Sequence, residues 1–196
     1  MAVDGARQRE LLIDAAEALL AEEGNAAISA RRVTSKAGLK SQLLYYYFET
    51  MDELILAVVR RIADRRLRRF EEALSAPDPL QAIWALSSDP AVTTLSSELI
   101  AIAGRRAAIR DEILRAAGEF RALQTEAVTR LLADKGVDLA AYPPAGLVLI
   151  ASAVARTISS EAAFGLTDGH KDALLIIERA VARYGAGTDP GHVSAD

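Results

Sequence analysis

The sequence predicts an all-α protein, and three observations predict it. Alanine and leucine are abundant in a chain of 196 residues that is 51% apolar and only 5% aromatic, a composition rich in helix formers. The six prolines all fall at or after Pro77, so no pyrrolidine ring interrupts a helix before that point. Apolar residues from Leu11 onward recur at helical rather than strand spacing. The expected organisation is a three-helix domain over residues 1–50, a helical domain over 51–185 and a flexible tail over 186–196.

Each element has its own signal. The stripe Leu11, Leu12, Ala15, Ala16, Leu19 and Leu20 marks the first helix, which closes at Gly24, a residue suited to a left-handed cap. Ser29 is placed to cap a short second helix through Ala37. Gly38 permits a tight turn, and a third segment from Ser41 to Phe48 follows, with Leu44, Tyr45 and Phe48 inward and Tyr46 and Tyr47 outward. Thr50 and Glu53 read as a capping box in which hydroxyl and carboxylate satisfy each other's amides; Leu54, Ile55, Val58, Val59 and Ile62 carry the fourth helix onward. That helix ends near Ser75 and the Pro77-Asp78-Pro79 cluster. Beyond it, helices are expected at roughly 79–87, 91–103, 106–134, 144–164 and 171–184, separated by Pro, Gly or Asp-rich breaks.

Composition excludes several chemistries. With no cysteine there is no thiol nucleophile, disulfide framework or thiolate zinc site. The two imidazoles, His170 and His192, lack partners at metal-binding spacing and read as surface residues, so neither a metal nor a cofactor is expected. The segment MAVDGARQRE has no apolar signal core, and the apolar run Ala145 to Ala155 stops at Arg156, short of the ~20 residues that span a bilayer. A cytoplasmic location without membrane contact follows as the expectation. Positive charge sits at the front: residues 1–70 hold 12 Lys/Arg against 10 Asp/Glu, a net of +2, while residues 71–196 hold 11 against 17, a net of -6.

A short helix, a glycine turn and a second short helix is the arrangement that seats a recognition helix in the DNA major groove. The stretch RELLIDAAEALLAEEGNAAISARRVTSKAGLKSQLLYYYF from Arg9 to Phe48, followed by MDEL, resembles the TetR family of transcriptional regulators over about residues 9–60. Its most specific piece is A-G-L-x-x-x-x-L-Y-x-Y-F at Ala37 to Phe48, with Gly24 in register. The chain departs from the pattern at Lys40, where Ser or Thr commonly caps the recognition helix, at Thr34 in place of Ala, and at Met51 in place of a phosphate-contacting Lys.

The resemblance implies an amino-terminal helix-turn-helix domain and a carboxy-terminal helical ligand-binding and dimerisation domain. It implies double-stranded DNA, a small apolar or amphipathic effector and a second copy of the chain as partners. Gln42 is suited to a bidentate contact with adenine, Lys40 to guanine acceptors or a phosphate, and Tyr46 to a thymine methyl or sugar edge. Ser29, Ser41 and Tyr47 are placed by resemblance where the family contacts phosphates. The run Arg60, Arg61, Arg65, Arg66, Arg68 and Arg69 reads as a solvated helix face, with Asp64 and Glu72 as i, i+4 partners. Arg7 and Arg9 read either as a flexible phosphate-contacting arm or as plain disorder.

For the rear domain the resemblance implies an effector pocket, with Trp84, Leu99, Ile102, Ile113, Phe120 and Leu123 as candidates, each of which also reads as ordinary core. Gln124, Glu98 and Thr94 are candidates to orient a polar group of the ligand. Between Pro144 and Ala163 nearly every residue is apolar or small, and a helix without a polar face must be covered on most sides. Its small-residue stripe Ser152, Ala155, Ser159 and Ala162, with Leu174, Ile177 and Val181 of the last helix, is the candidate homodimer contact. The function expected is a sequence-specific DNA-binding regulator, a repressor released from a palindromic operator by its effector. The alternatives are a helical ligand-binding or interaction protein without DNA binding, and an enzyme built on carboxylates such as Asp111 and Glu112. The enzyme reading lacks a nucleophile, phosphate-loop glycines or a His dyad.

Overall fold

A computed structural model describes residues 2–104 and 106–184; the expected tail and His192 lie outside the described residues. Among the described residues every regular element is a helix: α1 Ala2–Glu23, a 3-10 turn Asn25–Ala27, α2 Ala30–Ala37, α3 Ser41–Tyr47, α4 Met51–Leu74, α5 Pro79–Ser87, α6 Pro90–Ala103, α7 Ala107–Ala133, α8 Pro144–Ala162 and α9 His170–Tyr184. The ends of α5 to α9 fall within two residues of expectation, because strong punctuation sets them. Asp78 accepts a hydrogen bond from the Gln81 N–H at 3.1 Å just before Pro79 opens α5, and Pro144 opens α8.

The start of α1 differs from expectation. The helix begins at Ala2, so Arg7 and Arg9 lie on ordered helix and not on an arm. Leu12, Ala15, Ala16, Leu19 and Leu20 are buried as expected, but Leu11 is 37% exposed and Ile13 takes its place in the core.

Two compact units form, Met1–Leu67 with Thr94–Glu119, and Arg68–Thr93 with Phe120–Asp196. The division runs within α4 and α7 and not near residue 50, and the reason is a shared core. Leu54, Ile55, Val58 and Val59 of α4, Leu99 and Ile102 of α6 and Ile109 of α7 are buried in one cluster with Leu12, Leu20, Val33, Leu44 and Phe48. Non-directional apolar burial of this extent is the main force assembling the unit.

The second unit holds two clusters. Phe70, Ala73, Ile83, Phe120 and Ala127 form one, with the Phe70 and Phe120 rings edge to face at 5.2 Å. Val128, Leu132 and Val148 form the other, with Leu80, Leu147 and Tyr184 packed on it. By length and composition α8 passes for a helix able to cross a membrane, since it continues through Arg156 to Ala162. One such helix is weak evidence, and its outward apolar residues fit a protein contact equally well. His170, expected on the surface, is half-buried: its Nε2 lies 2.7 Å from Glu161 Oε2, joining the start of α9 to the end of α8.

Candidate nucleic-acid interface

The two short helices are set by local chemistry. Ser29 has extended backbone angles and its hydroxyl accepts the Arg32 N–H at 3.4 Å, capping α2 as expected. Gly38, at φ 67 and ψ 27, takes the left-handed conformation that ends α2, and its N–H meets the carbonyls of Ser35 and Thr34. Thr34 is buried, and its hydroxyl donates back to the Ala30 carbonyl at 2.8 Å, so the departure from alanine leaves no polar atom unsatisfied. Lys40 is the N-cap of α3 and makes no side-chain cap, so the α3 amides have no capping side chain.

The tyrosines divide otherwise than expected. Tyr45 is 55% exposed and Tyr46 78%, whereas Tyr47 is partly buried against the core and its hydroxyl donates to Gln8 Oε1 at 2.9 Å. At about 100° per residue, Tyr45 and Tyr47 stand equally far from the line joining Leu44 and Phe48. Leu43, which is also partly buried, widens the inward arc on the Tyr47 side. The outward arc of α3 is therefore Ser41, Gln42, Tyr45 and Tyr46, all exposed. The start of α1 braces the other side: the Arg9 guanidinium lies 5.0 Å from the Phe48 ring centre, and Gln8 holds Tyr47.

Charge around this arc is sorted by pairing. On α2, Arg32 is taken up by Glu23 and Lys36 by Glu22 at 2.7 Å, both from α1. Arg31, in the first turn of α2, and Lys40, at the start of α3, are exposed and have no acidic partner among the described residues. Arg31 and Lys40 thus stand at the starts of α2 and α3 as cations without an acidic partner among the described residues, suited to meet phosphate.

The turn into α2 and the start of α4 are held from within the same unit. Asn25 donates its N–H at 2.7 Å and its Nδ2–H at 2.9 Å to Glu98 Oε2 of α6. Thr50 Oγ1 accepts the Glu53 N–H at 3.2 Å, but the Glu53 carboxylate reaches one residue past the expected amide, to the Glu49 N–H at 2.7 Å. Four arginines of α4 pair with acids outside their own helix: Arg61 meets Asp14 and Glu17, Arg65 meets Glu17, Arg60 meets Glu112 at 3.3 Å, and Arg69 meets Asp89 at 3.0 Å. Burial pushes the Glu17 carboxyl up, but hydrogen bonds from Arg65 and Arg61 outweigh it and hold it below the usual carboxylate range.

Residues 12–58 match the model of the bacterial regulatory proteins of the tetR family. The matched segment runs from within α1, through α2 and α3, into the first turns of α4. Comparison with curated proteins found no significant match. Among solved structures, a transcriptional regulator from Rhodococcus sp. Rha1 is 20% identical, with a TM-score of 0.68 over 92% of this chain and 99% of its own. A TetR transcription regulator from Haloarcula marismortui is 16% identical, with a TM-score of 0.68 over 91% and 96%. The multidrug binding protein EbrR, complexed with imidazole, is 21% identical, with a TM-score of 0.57 over 95% and 93%. At these identities the likeness is one of fold.

In the segment similar to the tetR family, then, Lys40, Ser41, Gln42 and Tyr46 are exposed, Ser29 caps α2, and Tyr47 is held inward. Tyr45 of α3 and Arg31 of α2 are exposed as well, and neither stood among the residues expected to contact DNA. Arg31 gave no signal apart from the Arg31-Arg32 pair, whose other member is consumed by Glu23. The rear candidates separate. Leu99, Ile102 and Ile113 belong to the core of the first unit, Phe120 to that of the second, Trp84 is buried in the second and Leu123 is exposed. Glu98 is engaged with Asn25, Gln124 is buried, and the Thr94 side chain lies outside the described residues. On α8, Ala155 is buried, Ser152 and Ser159 are partly buried and Ala162 is exposed; Leu174, Ile177 and Val181 of α9 are partly buried. The strongly outward residues of these two helices are instead Leu149, Ile150, Leu175 and Ile176.

Proposed function

We propose that the chain is a sequence-specific DNA-binding transcriptional regulator that reads the major groove with α3. The observation that carries this reading is the outward arc of Ser41, Gln42, Tyr45 and Tyr46, which has no part in the core and follows directly on Lys40, a cation with no acidic partner among the described residues. Gln42 supplies the bidentate amide for adenine, the two tyrosines offer apolar and hydroxyl contacts, and Lys40, Arg31, Ser29 and Ser41 serve the phosphates. Tyr47 contributes by fixing α3 on α1.

A homodimer formed through the outward apolar residues of α8 and α9 would pair two such helices about 34 Å apart, one turn of DNA, and so favour a palindrome. The effector belongs to the second unit. There, Gln124 is 6% exposed and offers an amide to a polar group on an otherwise apolar ligand. Release of DNA then requires the effector to prefer the non-reading state, and the effect is bounded by that preference.

The test is selection of binders by the full-length protein from a random duplex pool, followed by titration of the enriched sequences at two salt concentrations. An enriched palindrome whose affinity falls steeply as salt rises is expected. Absence of enrichment at low salt would remove DNA reading from the proposal.

A further inference from the structure

The clearest long-range polar tie in the first unit is between α6 and the turn that leads into α2. Gly24 sits at φ 78, closed to ordinary side chains, and a Cβ there would lie 3.0 Å from Glu98 Oε2. The missing side chain lets the carboxylate approach the backbone, where the same oxygen accepts both hydrogen bonds from Asn25. Such charge-assisted bonds are short and directional. Asn25 opens the 3-10 turn that ends at Ala27, two residues before the Ser29 cap of α2, so its position sets how the helix pair leaves α1.

The neighbours of Glu98 are of a different kind. Leu99 and Ile102 hold α6 to the core shared with Val33 and Leu44, but apolar packing alone tolerates sliding and rotation. A rotation of α6 by one residue, about 100°, takes the carboxylate away from Asn25. A second tie lies beyond α6, immediately before α7, where Arg106 Nη1 donates to Asp52 Oδ1 at 2.6 Å on the first turn of α4.

We infer that Glu98 is a positioning residue for DNA reading: its carboxylate locks the Gly24–Asn25 turn and thereby the angle of α2 and α3. The inference rests on the DNA-binding reading above and adds the residue that holds the reading helices in place. It places that support at the α1–α2 turn.

The test uses the full-length protein and its variants Glu98→Ala, Glu98→Gln and Asn25→Ala, with the duplex enriched by the wild type and an unrelated duplex as probes. Glu98→Ala is expected to weaken the enriched duplex by about tenfold or more, the scale of lost charge-assisted hydrogen bonds, and the unrelated duplex by less than about twofold. Glu98→Gln keeps an accepting oxygen and recovers most of the affinity; Asn25→Ala, which keeps its N–H, falls between. Hydrogen exchange at residues 25–28, read without DNA, should quicken in Glu98→Ala and not in Glu98→Gln.

Faster exchange with unchanged affinity for the enriched duplex would overturn the inference, because the clamp would exist without positioning the reader. An equal loss on both duplexes, with a lowered unfolding temperature, would also overturn it, as the residue would then be merely structural. If the wild type enriches no sequence, the DNA-binding reading fails and the positioning role with it, while the exchange result still reports whether the clamp exists.

Discussion

Leu43 decides which of three consecutive tyrosines turns inward, and the consequence is a division of labour that mutation can separate. Leu44 and Phe48 alone leave Tyr45 and Tyr47 equivalent, so the inward choice of Tyr45 rested on a tie; the partly buried Leu43 breaks it toward Tyr47. Tyr47→Phe loses the hydrogen bond to Gln8 and is expected to cost about 1 kcal/mol in urea unfolding while leaving the affinity for an enriched duplex nearly unchanged. Tyr45→Ala removes an exposed ring; stability should stay within about 0.5 kcal/mol and duplex affinity should fall clearly. The reverse pattern would return Tyr47 to the interface. Caps and glycines at this scale were legible because they act on their own backbone: Ser29, Gly38 and Thr50 each do locally what their residue type allows. Glu98 was not, since its partner Asn25 is 73 residues away.

Among elements, the same contrast separates helix ends from helix neighbours. Prolines and the Asp78 cap place α5 to α9 closely, whereas Arg60, Arg61, Arg65 and Arg69 of α4 take acidic partners off their own helix, on α1, in the α5–α6 link and on α7. Periodicity reports which side of a helix is polar but not what stands opposite. The α1–α4 network has a pH signature. Glu17 titrates below its unfolded value of about 4.3, so its stabilisation is present in full above that value and is lost as pH falls through the folded one. Between pH 7 and 3, the urea midpoint of Glu17→Gln should start lower than that of the wild type and fall less steeply. Parallel slopes would show that Glu17 pairs no more strongly in the folded chain than in the unfolded one.

For the molecule as a whole, the outward side of α8 and α9 poses the largest demand on the environment. Ile150 is 60% exposed and Ile176 69%, with Leu149 and Leu175 next to them in sequence, and no core role binds them. Composition announced a helix that needs cover: Val148 and Ala155 of α8 lie inward, while Leu149, Ile150 and Ala162 stand outward. The double variant Ile150→Glu, Ile176→Glu is therefore expected to leave the helical content and unfolding temperature of the single chain unchanged. In a self-associating protein it would place unpaired carboxylates in a desolvated contact twice over, which disfavours assembly strongly. Sedimentation equilibrium should show a dimer for the wild type and a monomer for the variant, and the variant should bind one half of an enriched palindrome as well as it binds the whole. A variant that remains dimeric would move the subunit contact elsewhere. A wild type that sediments as a monomer at micromolar concentration would leave the apolar side to a different partner and would remove the reason to expect a palindrome.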